Sequence, residues 1–155
     1  KITNLVYGGE QERGLRAGTE NTPAIVGMGE ALALACSEMD GAAQQIVHLR
    51  DLLENEIMQR MPEAIVNGDR EKRLPGTLHV TFPGADTNML LMRLDMEGIA
   101  VSAGSACAAG ARERSYVLEA MHVPSGADVR FSLGTDNDET QIRQTVDTLY
   151  RILNG

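Results

Sequence analysis

Apolar residues recur at intervals of three and four along two consecutive stretches. The first runs through Ile25, Met28, Leu32, Cys36 and Met39, the second through Ile46, Leu49, Leu53, Ile57 and Met61. That spacing gathers each set on one face of a helix. Asn21 or Thr22 supplies an N-cap and Pro23 suits the first turn, so the first helix is expected to begin there. Gly41 is expected to break or kink the run, and Pro62 to end it, which gives two helices. Cys36 falls on the first apolar stripe and reads as a core residue.

The period changes downstream. Asn67-Gly68 signals a turn and residues 69–73 a charged surface loop. In residues 77–82, Leu78, Val80 and Phe82 alternate with Thr77, His79 and Thr81, the pattern of a half-buried strand. Residues 86–97 read as a short helix with Met89, Leu90 and Leu94 inward, and residues 99–101 as a strand. Residues 115–121 read as another short helix. Residues 128–133 alternate again, with Val129, Phe131 and Leu133 set against Arg130 and Ser132. A closing helix carries Ile142, Val146, Leu149 and Leu153, with the acidic Asp136, Asp138 and Glu139 near its positive end. Helices followed by interleaved strands and helices predict an α/β chain of the α+β, two-layer kind. Residues 1–21 differ. They contain Gly8, Gly9, Gly14 and Gly18, are rich in charge and lack apolar periodicity. They read as a glycine-rich arm or interface segment, leaving 22–155 as the packed domain.

Composition narrows the function. A chain of 155 residues supports one compact domain. The net charge of −8 argues against nucleic acid as the main ligand, since phosphate binding needs clustered Lys and Arg. No apolar run reaches the roughly 20 residues of a membrane helix, and no basic-then-apolar leader opens the chain. Cys36 and Cys107 do not form a disulfide framework, which fits a reducing, cytoplasmic setting. Lys1 and Lys72 are the only lysines, so a mechanism that needs a positioned lysine has almost no candidate here.

Three places could carry chemistry. Cys107 lies among small residues in Val-Ser-Ala-Gly-Ser-Ala-Cys-Ala-Ala-Gly-Ala-Arg (101–112), with Arg112 and Arg114 near in sequence. It is either an accessible thiol whose thiolate those arginines favour, or one small residue among others. Arg130, on the polar side of a strand, suits a two-pronged grip on a carboxylate, and equally a surface or structural ion pair. The turn at residues 18–21, which includes Thr19, offers N–H groups and a hydroxyl to an anion, or simply caps the helix. His48, His79 and His122 are scattered, fit no zinc spacing, and read as surface or packing residues. The lone glycines do not form a dinucleotide fingerprint.

Five strings, in order, resemble one family. They are residues 10–21 with Ile25-Val-Gly-Met-Gly-Glu-Ala31, Arg73-Leu-Pro-Gly-Thr-Leu-His-Val-Thr-Phe-Pro-Gly84, Gly98-Ile-Ala-Val-Ser-Ala-Gly-Ser-Ala-Cys107, Ser115-Tyr-Val-Leu-Glu-Ala-Met121 and Val129-Arg-Phe-Ser-Leu-Gly134. Together they resemble the C-terminal part of the NifS/IscS-type cysteine desulfurases, which are class V aminotransferase relatives. The resemblance implies the small domain of the aspartate-aminotransferase fold (fold type I), pyridoxal 5'-phosphate as cofactor and a homodimer. It implies conversion of L-cysteine to L-alanine, with the sulfur held as a persulfide and passed to an iron–sulfur scaffold or another acceptor protein. By the same resemblance Cys107 is the persulfide carrier, Arg130 binds the substrate carboxylate, and Thr19 reaches the cofactor phosphate of the other subunit. The sequence departs from the family at Ala103, at Ala108, and at His79, where Asn is common. The family's Schiff-base lysine has no match at Lys1 or Lys72, so the chain is expected to be a C-terminal segment, inactive alone. A selenocysteine lyase or other class V enzyme, and a cofactor-free thiol carrier or interaction domain, are the alternatives.

Overall fold

The computed structural model describes residues 3–103 and 115–155. Its elements are α1 (Thr22–Arg60), β1 (Ile65–Val66), β2 (Thr77–Pro83), α2 (Thr87–Met96), α3 (Tyr116–Ala120), β3 (Gly126–Ser132) and α4 (Glu139–Asn154). The chain divides into two compact units, Lys1–Asp40 and Gly41–Gly155.

Within the first unit, the arm folds on itself. Ala17 N–H donates to the Val6 carbonyl at 3.4 Å and Gly18 N–H to Gln11 Oε1 at 3.2 Å. Glu12, Arg13 and Gly14 follow one another at φ 53°, 58° and 75°, a left-handed turn that costs the two side-chain-bearing residues strain. Asn21 caps α1 by accepting from Ala24 N–H at 3.2 Å, as the sequence predicts. The first half of α1 corrects two expectations. Gly41 does not break the helix, because one glycine costs only about 1 kcal/mol against alanine and Ala42, Ala43 and Gln44 follow it. The first apolar stripe is not core. Ile25, Met28, Leu32 and Met39 are each more than half exposed, and Cys36 is exposed too. Periodicity reports an apolar face, not what covers it.

The second unit holds the core. β2 lies centrally in a three-stranded antiparallel sheet of order β1-β2-β3. Leu78, Val80 and Phe82 from β2 join Ala127, Val129 and Phe131 from β3 on the inner face. Against them pack Leu49, Leu53 and Ile57 of α1, Leu90 and Leu94 of α2, and Ile142, Val146 and Leu149 of α4. The two-layer α/β arrangement read from the sequence is thus present, with the helices on the apolar side of the sheet. Asp138 and Gln141 form a reciprocal capping box that starts α4.

Three details differ from expectation. Met89 is exposed, since Leu90 and Leu94 fill the inward face of α2. Residues 99–101 form no strand. Only Ser102 bridges to β3, while Ile99 and Val101 pack against the core. β1, two residues long, is too short to leave a periodic signal. At Gly76 the backbone passes so close to Leu133 that a β-carbon would collide with its carbonyl oxygen, while Leu133 N–H donates to Gly76 O at 2.8 Å.

Candidate functional site

Strand alternation puts Thr77, His79 and Thr81 of β2, and Asp128, Arg130 and Ser132 of β3, on the sheet face opposite the core. The register pairs His79 with Arg130 and Thr81 with Asp128. Thr81 and Asp128 are buried although polar, and Arg130 and His79 are half-buried.

Buried polar groups need partners, and here they have each other. Thr81 Oγ1 donates to Asp128 Oδ1 at 2.6 Å. Asn67, at the end of β1, brings Nδ2 to 2.7 Å from Thr81 Oγ1 and to 2.9 Å from His79 Nδ1. Asp128 N–H donates to Thr87 Oγ1 at 3.1 Å, and Arg130 N–H to the Ser102 carbonyl at 2.7 Å. The last two bonds cover the outer edge of β3.

Arg130 therefore stands mid-strand with its main-chain N–H and carbonyl both bonded to Ser102, an anchored backbone that suits a guanidinium holding a carboxylate in one orientation. The Ser102 bridge ties the start of the segment bearing Cys107 to the same residue. Cys107 itself, with Arg112 and Arg114, lies outside the described residues. Thr19 belongs to the other unit. It is exposed and not used for capping, since Asn21 does that work. Gly18 before it has φ +112°, and the Arg16 guanidinium lies 3.1 Å from where a β-carbon would sit. The Arg16 cation thus lies beside Gly18, whose own N–H is taken by Gln11 Oε1, with the exposed Thr19 next in sequence.

A second charged group is structural. Arg50 and Glu54 are buried on α1, where Arg50 donates to the Pro75 carbonyl at 3.3 Å and Glu54 pairs with Arg73 at 2.6 Å. They fasten the loop before β2. Exposed pairs trim the surface. The Arg151 guanidinium, bonded to Glu97 at 2.8 Å, holds the Glu97 carboxyl below its ordinary value, and Arg151 is raised in return. His48 at 2.9 Å does the same for Glu139. Lys72 is exposed, its N–H donating to Asp69 in a surface turn. Among the described residues no His/Cys/Asp/Glu cluster could hold a metal. No described helix is long and apolar enough to cross a membrane.

The sequence pointed to Arg130 but passed over Asn67, Thr81 and Asp128. Asn67 read only as a turn residue, and a polar alternation gives no sign that its members bond to one another.

Residues 4–145 match the family model described as Aminotransferase class-V. The chain is 40% identical to the cysteine desulfurase IscS of Dictyoglomus turgidum, over 99% of this chain and 40% of that protein. It is 41% identical to a cysteine desulfurase of Gluconacetobacter diazotrophicus, over 99% of this chain and 39% of that one. Among solved structures, a NifS-like protein matches 97% of this chain and 38% of its own at a TM-score of 0.78 and 34% identity. A NifS-like protein from Rickettsia africae matches all of this chain and 41% of its own, at 0.79 and 30%. The chain thus spans about two-fifths of the length of the curated relatives it matches.

Proposed function

The chain belongs to the aminotransferase class-V family, and from that premise we propose that it is the C-terminal segment of a cysteine desulfurase. In this reading the complete protein takes L-cysteine, releases L-alanine, and holds the sulfur as a persulfide on Cys107. The sulfur then passes to a scaffold for iron–sulfur clusters or to another acceptor protein. Residues 22–155 serve as the small domain and residues 1–21 as an interface arm of a cytoplasmic homodimer.

The observation that carries the reading is the tie between Arg130 and Ser102. It anchors the segment that leads to Cys107, five residues on, at the residue suited to grip the substrate carboxylate. A carboxylate held by two parallel N–H donors has a fixed orientation, so its sulfur can be aimed at an attacking thiolate. In the sequence the neighbours of Cys107 are small, a composition suited to a thiol that must reach both substrate and acceptor.

The family implies pyridoxal phosphate, and the exposed Thr19, with the Arg16 guanidinium beside Gly18, would hold its phosphate. When bound, that cofactor supplies an electron sink for the substrate carbon skeleton. The left-handed turn at 12–14 supports a functional arm, since such strain is stored where geometry matters. The exposed stripe from Ile25 to Met39 supports the same view, as large apolar patches mark surfaces that meet a partner.

The test is Cys107→Ala in the holoenzyme carrying this segment. Sulfur transfer to an acceptor is expected to vanish while the cofactor absorbance stays. Transfer at the unmodified rate would refute the assignment.

A further inference from the structure

α2 carries two stripes. Leu90 and Leu94 are buried in the core, with Leu91 packed beside them. Met89, Met92 and Met96 stand on the other side, 55%, 59% and 79% exposed. At about 100° per residue the three lie within about 60° of one another, and about 150° round the helix from the two buried leucines. The stripe therefore points away from the core that α2 helps to form. Methionine is not kept out of that core as a residue type, since Met61 is buried in it and Met58 packs against it.

This stripe has a property that an ordinary apolar face lacks. Residues three and four apart on a helix are neighbours, with β-carbons about 5–6 Å apart. Met89 and Met92 are three apart, Met92 and Met96 four. Each side chain is unbranched, turns about several bonds and carries a polarizable thioether. Sulfurs from neighbouring turns can thus converge over Met92. The helix beneath them is firmly seated, by its buried leucines and by the Asp86 carboxylate, which accepts from Met89 N–H at 2.8 Å. Arg93, the cation nearest in sequence, is tied to the Ile152 carbonyl at 3.3 Å. Thioethers do not suit hard cations such as Mg²⁺ or Ca²⁺, which take oxygen ligands; they select soft ions, Cu(I) among them. A filled d shell imposes no geometry, so such an ion accepts the arrangement that flexible side chains offer.

We propose that Met89, Met92 and Met96 form a thioether site for Cu(I) on the outer face of α2.

The experiment is a titration of the holoenzyme, its thiols blocked with N-ethylmaleimide, with Ag(I), an air-stable ion of the same charge and softness. Carbon-13 labels on the methionine methyl groups report binding by NMR. The methyls of Met89, Met92 and Met96 are expected to move together and to saturate at one ion. Met92→Leu keeps the apolar volume and the helix propensity. It is expected to weaken binding about a hundredfold, as loss of one tethered ligand does. Met39→Leu, also on an exposed helix face but with no methionine within four residues, is expected to change nothing. Cu(I) supplied without oxygen from a chromogenic chelator is expected to transfer to the protein with the same dependence on Met92. Methyls that stay still or move separately, or binding that Met92→Leu leaves unchanged, would overturn the site. Capture of Ag(I) without transfer of Cu(I) would overturn the choice of ion.

Discussion

Arg130 is restrained by more than its own side chain. Its strand position, its bridge to Ser102 and its register partner His79 all fix where the guanidinium starts from. Arg130→Lys should therefore keep the charge but lose the planar fork, and KM for L-cysteine is expected to rise about tenfold or more. An unaltered KM would mean that a point charge suffices there. Cys107, Arg130 and the turn holding Thr19 stood out in the sequence by residue type, but only the family resemblance gave them roles. The bonded set of Asn67, Thr81 and Asp128 was not legible, because these residues acquire meaning only when β1, β2 and β3 align. Cys36 shows the opposite error. Its spacing placed it in a core, yet the stripe it shares is exposed.

The elements differ in how they are stabilised. The second half of α1 is held by burial. Leu53 is almost fully buried among strands and helices, so Leu53→Ala is expected to cost about 2–5 kcal/mol in chemical denaturation. α4 depends also on its cap, and Asp138→Ala is expected to cost about 1 kcal/mol. Exposed ion pairs do less. Arg151 lowers the Glu97 carboxyl, so that pair stabilises the fold above the unfolded glutamate value and loses its effect as pH falls through the lowered one. An NMR titration should find Glu97 below the ordinary glutamate value, and Arg151→Met should return it there. The helices with buried stripes were legible because burial and period coincide. The strand expected at 99–101 was not realised, because only Ser102 meets a partner along β3.

At the scale of the molecule, the two units divide the work that the chain can be read to do. Gly41–Gly155 carries the core and Arg130, and Lys1–Asp40 carries Thr19 and an uncovered apolar helix face. Lys72, exposed in the turn capped by Asp69, is no candidate to bind a cofactor covalently. Borohydride reduction of the purified 155-residue chain with pyridoxal phosphate should fix no cofactor at a unique site, checked by mass spectrometry. One stoichiometric adduct would show a lysine site that this reading lacks. The order of the five motifs made the family legible in the sequence, since their spacing extends over almost the whole chain. The two-unit division was not legible, because α1 runs through it without a break.

The most direct measurement is site-resolved mass spectrometry of the holoenzyme after one turnover with L-cysteine. A single added sulfur on Cys107 is the result expected of a carrier thiol. The extra sulfur on the exposed Cys36, or on neither cysteine while L-alanine accumulates, would contradict the account.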